Sequence, residues 1–141
     1  MKWKLLATVL ALFSLWGCGT KETAVTELHF NRGHGSAWGN QFRIEVNARE
    51  VVFAEYVSSE TGELVTVSHI PVSDAQWQAL LSLLEQLPLE KARSDAWEFN
   101  KLDGGEFREL TLLRGGKKTE YAWPNVPQAQ ELEQFLENLI R

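Results

Sequence analysis

The chain has 141 residues, with 14 Lys and Arg against 19 Asp and Glu and a formal net charge of −5 at pH 7. That acidic balance argues against nucleic acid as a partner and disfavours adsorption to anionic headgroups, since both need an excess of basic surface. A single cysteine excludes an internal disulfide, so the core must stand on packing alone.

Met1 to Lys4 hold two lysines and no acid, and Leu5 to Trp16 form an apolar run broken only by Thr8 and Ser14 before the small residue Gly17. Basic, then apolar, then small is the layout of a cleaved signal peptide. The run is about a dozen residues, short of the roughly 20 that span a bilayer as a helix. Cys18, the only cysteine, follows at once.

The closing stretch Leu15-Trp16-Gly17-Cys18 resembles the lipobox of bacterial lipoproteins, in which Leu, a small or aliphatic residue, Gly or Ala and then Cys direct lipid attachment and cleavage just before the Cys. Leu15, Gly17 and Cys18 match that pattern, while Trp16 is bulkier than the residue usual there. The resemblance covers residues 1–18 only. It implies that residues 1–17 are removed and that Cys18 carries three acyl chains, palmitate among them. At about 0.8 kcal/mol per buried methylene, several chains anchor a protein stably. The implied location is a cell membrane, facing the periplasm or the exterior. Gly19 lacks the acidic character that retains enteric lipoproteins at the inner membrane, so the outer membrane is expected where the host has one.

Removing residues 1–17 leaves 124 residues and takes Lys2 and Lys4 away, moving the formal charge from −5 to −7. That length suits one domain. Residues 18–23 form the lipidated Cys and a short polar spacer, and residues 24–141 form the globular part.

Val25 to Phe30 reads as a first strand, with Leu28 and Phe30 on one face and Glu27 and His29 on the other. Arg32 to Asn40, punctuated by Gly33, Gly35 and Gly39, reads as a loop. Phe42, Ile44 and Val46 alternate with Arg43, Glu45 and Asn47, a half-buried strand. A short turn over Asn47 to Glu50 leads to a strand over Val51 to Val57. Thr61-Gly62 then centres a hairpin whose return strand is Leu64 to Ile70.

Ser73 with Gln76 three residues later forms a capping box, and Trp77, Leu80, Leu81, Leu84 and Leu87 follow at helical spacing. Pro88 is expected to end this helix. Leu89 to Gly105 has no clear period, and Asp103-Gly104-Gly105 closes it as a turn. Phe107 to Arg114 and Lys117 to Trp123 flank Gly115-Gly116, a two-residue loop suited to a primed hairpin turn. Pro124 and Pro127 break the strand. Gln128 to Arg141 reads as a last helix, with Leu132, Phe135, Leu136, Leu139 and Ile140 on one stripe.

Short antiparallel connections followed by amphipathic helices predict an α+β domain. The expected form is a two-layer sandwich: an antiparallel sheet of about six strands with two amphipathic helices on one face. Periodicity leaves the strand order open.

The Arg32 to Asn40 stretch offers a cation, an imidazole, a hydroxyl and an indole beside three glycines, a mixture suited to ligand or partner contact. Its candidate residues are Arg32, His34, Ser36 and Trp38. The glycine spacing does not fit a dinucleotide cradle. Ser36 lies in Gly-Ser-Ala-Trp-Gly, which is not a nucleophile elbow, so no catalytic residue is assigned. His29, His34 and His69 match no metal motif, and no Asp or Glu is placed beside them by spacing, so no metal or cofactor is expected. Of the four tryptophans after the leader, Trp77 and Trp123 read as core. Trp38 and Trp97 remain as candidate contacts for an envelope protein or cell-wall glycan.

The expected function is thus a membrane-anchored envelope lipoprotein acting as a noncatalytic binding or interaction module, similar to many short envelope lipoproteins. The alternative is a small hydrolase acting on cell-wall or secreted substrates.

Overall fold

Alternating apolar and polar residues build four consecutive strands, β1 (Val25–His34), β2 (Gln41–Asn47), β3 (Glu50–Tyr56) and β4 (Leu64–Pro71). Helix α1 (Asp74–Glu85), the hairpin of β5 (Glu106–Arg114) and β6 (Lys117–Ala122), and helix α2 (Pro127–Leu139) complete the order. The computed structural model describes residues 24–34, 41–56, 64–92 and 106–141. The expected signal segment, the expected Thr61-Gly62 turn and Asp103-Gly104-Gly105 lie outside the described residues. Neither described helix is long and apolar enough to cross a membrane.

Among the described residues the architecture is α+β, one six-stranded sheet with two helices. Its order is β4-β3-β2-β1-β5-β6, and every neighbouring pair is antiparallel. β1 through β4 form a meander, and the β5–β6 hairpin then adds on the far side of β1. The first strand of the domain is therefore interior, bonded to β2 along one edge and to β5 along the other.

Register puts the apolar residues together. Leu28 stands opposite Val46 and Leu112, Phe30 opposite Ile44 and Leu110, and Val46 opposite Val51. All of these are buried. They join Trp77, Leu80 and Leu84 of α1 and Ala129, Leu132, Leu136 and Leu139 of α2 in one hydrophobic cluster. Trp123 packs on that cluster, its ring centroid 5.0 Å from that of Phe30.

Local chemistry fixes the element ends. Asn47 Oδ1 accepts from the Arg49 and Glu50 amides at 2.8 and 3.0 Å, which turns β2 into β3. The capping box forms in full: Gln76 N donates to Ser73 Oγ at 3.1 Å, and Ser73 N donates to Gln76 Oε1 at 2.9 Å. Gly115 and Gly116 adopt φ of 56° and 80°, the doubly positive pair of a primed turn. Pro127 opens α2, where its missing N–H costs nothing.

Beyond shifts of a residue or two at other ends, three features differ from the sequence reading. β1 runs on through Arg32, Gly33 and His34, because β5 supplies partners as far as Glu106. Gly33 serves close approach there: a Cβ would lie 2.6 Å from Gln41 Cγ and 3.1 Å from Phe107 Cζ. α1 stops at Glu85 rather than at Pro88, because the residue before a proline is pushed out of the helical region; Leu87 is buried all the same. Part of the unreadable stretch continues the sheet. Ala92 N donates to Glu120 O and Ala122 N to Glu90 O, each at 3.0 Å, so residues 90–92 line the β6 edge.

Candidate functional site

The strands that bury Leu28, Phe30, Ile44 and Val46 turn their other residues to the opposite face of the sheet. Glu27 and His29 share that face on β1, and Glu45 is the cross-strand partner of His29 on β2. The three side chains meet, their ligand-type atoms all within 4.8 Å of one another and each residue half-buried. His29 Nε2 contacts Glu27 Oε1; with Glu27 ionised, Nε2–H is the donor. The His29 side chain is only 16% exposed. Arg43 Nη1 lies 3.4 Å from Glu45 Oε1, while Arg43 Nε donates to Asn31 Oδ1 at 3.1 Å. Two carboxylates, an imidazole and one flanking guanidinium thus form a polar centre in the middle of the sheet.

A second charged group closes the far end of β1. Arg32, two residues beyond Phe30, donates Nε–H to Glu106 Oε1 at 2.7 Å and Nη1–H to Glu133 Oε1 at 2.8 Å and Glu137 Oε1 at 3.0 Å. Arg108 donates to the other oxygen of Glu133 at 2.8 Å. Burial pulls the Arg32 pKa down, but the hydrogen bond to Glu106 and the charges of Glu133, Glu106 and Glu137 more than offset it and hold the guanidinium above its ordinary value. The Arg32 guanidinium also sits 5.7 Å from the Phe42 ring centroid. Its donors therefore tie the sheet to α2.

Of the sequence candidates, Arg32 is placed in this network and His34 ends β1, its backbone opposite Glu106. Ser36, Trp38 and Trp97 lie outside the described residues, as do Leu15, Gly17 and Cys18. His69 stands on β4, where Nδ1 lies 3.3 Å from Glu50 Oε2, apart from His29. Glu27 and Glu45 were missed as partners of His29. Alternation puts all three on the polar face, but only the β1–β2 register makes them neighbours.

Compared with protein-family models, with curated proteins and with solved structures, the chain gives no match in any of the three.

Proposed function

We propose that the chain is a lipid-anchored envelope protein whose domain is a two-layer sandwich, with both helices on one sheet face, and works as a noncatalytic binding module. One hydrophobic cluster supports the layering, since it takes Leu28 and Phe30 from the sheet, Trp77 and Leu80 from α1, and Leu132 and Leu136 from α2. The anchoring rests on the resemblance of Leu15-Trp16-Gly17-Cys18 to a lipobox, and the place where the chain enters the domain is compatible with it. Val25 opens an interior strand only seven residues after Cys18, a span of at most ~25 Å when extended. Such a tether holds the start of β1 near the bilayer.

That end of the sheet carries exposed cations alongside the acids Glu50 and Asp74. Val25 pairs with Arg114, beside the hairpin tip that carries Lys117 and Lys118, and the β2–β3 turn places Arg49 at the same end. Lys117, Lys118 and Arg49 are exposed and without an ion-pair partner among the described residues. The lipid holds the protein, and this rim orients it. The acidic remainder and the far end of β1, with Arg32 and His34, then face away, toward an envelope protein or cell-wall glycan. In a host with two membranes the anchor sits in the outer one.

The test is Cys18→Ser followed in cells: fatty-acid labelling and membrane association are both lost. Unchanged membrane retention of that variant overturns the anchor. Crosslinking in intact cells, repeated with Trp38→Ala, then identifies the partner and tests whether the indole contributes to its capture.

A further inference from the structure

We propose that Glu27, His29 and Glu45 form a binding site for a first-row divalent cation, with zinc as the ion that fits best. Glu27 and Glu45 would each supply a carboxylate oxygen and His29 its Nε2. This inference is independent of how the protein is anchored.

The donor set comes first. One imidazole nitrogen and two carboxylate oxygens match the ligand preference of zinc, which binds each at about 2.0–2.2 Å. Donors at that distance from a common centre lie roughly 3.4 Å apart at tetrahedral angles. The ligand-type atoms here are all within 4.8 Å of one another, so small rotations of the two long glutamate side chains close them on an ion. Three protein donors leave a tetrahedral ion one position for water.

The framework comes second. His29 and Glu45 are directly opposed on adjacent interior strands, and β1 is bonded along both edges, so the ligand backbones cannot drift. The β1–β5 ladder shifts register between Val25 and Glu27. Bulges of this kind re-aim a side chain, and this one falls immediately before Glu27.

Charge comes third. Two carboxylates held together on a half-buried surface repel each other, and the flanking cation reaches only one of them. Arg43 approaches Oε1 of Glu45 at 3.4 Å and also donates to Asn31 Oδ1, so it offsets the two acids only in part. A divalent cation neutralises both acids at once. Coordination at His29 Nε2 requires that nitrogen to carry no proton, so protons compete with the metal. By contrast, His69 is exposed and among the described residues pairs with one acid, Glu50, which makes it the control.

The experiment uses the full chain in detergent, stripped with a chelator, with Co2+ as the spectroscopic probe and Zn2+ as competitor. The expected result is one equivalent of Co2+ with visible d–d absorption, displaced by Zn2+, with affinity falling as pH is lowered. His29→Gln and Glu45→Gln should each weaken binding by about tenfold or more, while His69→Gln leaves it unchanged. Far-UV circular dichroism checks that the variants fold. Absence of Co2+ uptake by the wild-type chain overturns the proposal with no variant needed. Equal affinity in folded His29→Gln and Glu45→Gln, or loss of binding in His69→Gln, places the ion elsewhere and overturns it as well.

Discussion

Arg32 on β1 and Glu133 on α2, 101 residues apart in sequence, share a hydrogen bond of 2.8 Å, and the second Glu133 oxygen is taken by Arg108 on β5. One helical carboxylate therefore clamps two strands. The Glu133 side chain is 13% exposed, so its pairs are shielded far better than ordinary surface pairs.

Glu133→Ala is expected to cost about 2 kcal/mol, because it leaves two arginines half-buried without their shared acid. Glu137→Ala removes only one bond to Arg32 and should cost about 1 kcal/mol or less. Urea denaturation of the two variants measures the order; a larger loss for Glu137→Ala contradicts the clamp.

The same network predicts a flat alkaline response. Arg32 has its folded pKa raised, so its stabilising contribution is complete below the unfolded value and is lost only as pH rises through the folded one. Between pH ~7 and ~9.5 the guanidinium stays charged in both states. The stability gap between wild type and Arg32→Ala should accordingly be equal at the two pH values. A gap that shrinks over that range contradicts the assignment.

At the β5–β6 turn, Gly116 has open space around its Cα, so a side chain there meets only the backbone penalty of φ +80°. Gly116→Val should destabilise by about 1 kcal/mol or more, and Gly115→Asn, which tolerates positive φ, by much less. The denaturation midpoints of the two variants separate conformational cost from bulk.

Gly33 presents the opposite case, crowding without a positive φ. Gly33→Ala drives a methyl into Gln41 and should cost about 1–2 kcal/mol. Gln41→Ala removes the Cγ that lies 2.6 Å from the new methyl, so the double variant should recover part of that loss. Strictly additive losses in the double-mutant cycle contradict the contact.

Ser73→Ala removes the side-chain half of the capping box and should cost about 1 kcal/mol. Thermal unfolding with Ser73→Asn as the conservative comparison, expected near wild type, checks that the loss comes from the cap.

Features carried by local chemistry were legible in the chain: the Ser73/Gln76 cap, the paired glycines, the alternation of β2 and the stripes of both helices. These depend on residues a few positions apart. Arg32, Gly33 and His34 read as loop because glycine and histidine carry little strand propensity, and the residues that hold them extended come from β5, more than 70 positions downstream. The polar centre was half legible for the same reason. Alternation assigned Glu27 and His29 to one face, and Glu45 to the polar face of its own strand. The pairing of His29 with Glu45 is a matter of register, and period-2 patterning alone does not fix register.

The interior place of β1 also sets an order of events. The meander from β1 to β4 is assembled from neighbours in sequence, but the second edge of β1 waits for β5, with Asn31 and Glu109 side by side across 78 residues of chain. A chain delivered N-terminus first exposes β1 long before that partner arrives. Its unpaired edge must survive until the last quarter of the polypeptide emerges, a non-local step that slows folding and lengthens the window for mispairing. A truncation ahead of Glu106 would leave the polar centre with its three ligand residues intact and β1 as an open edge, with no α2 to cover Leu28 and Phe30.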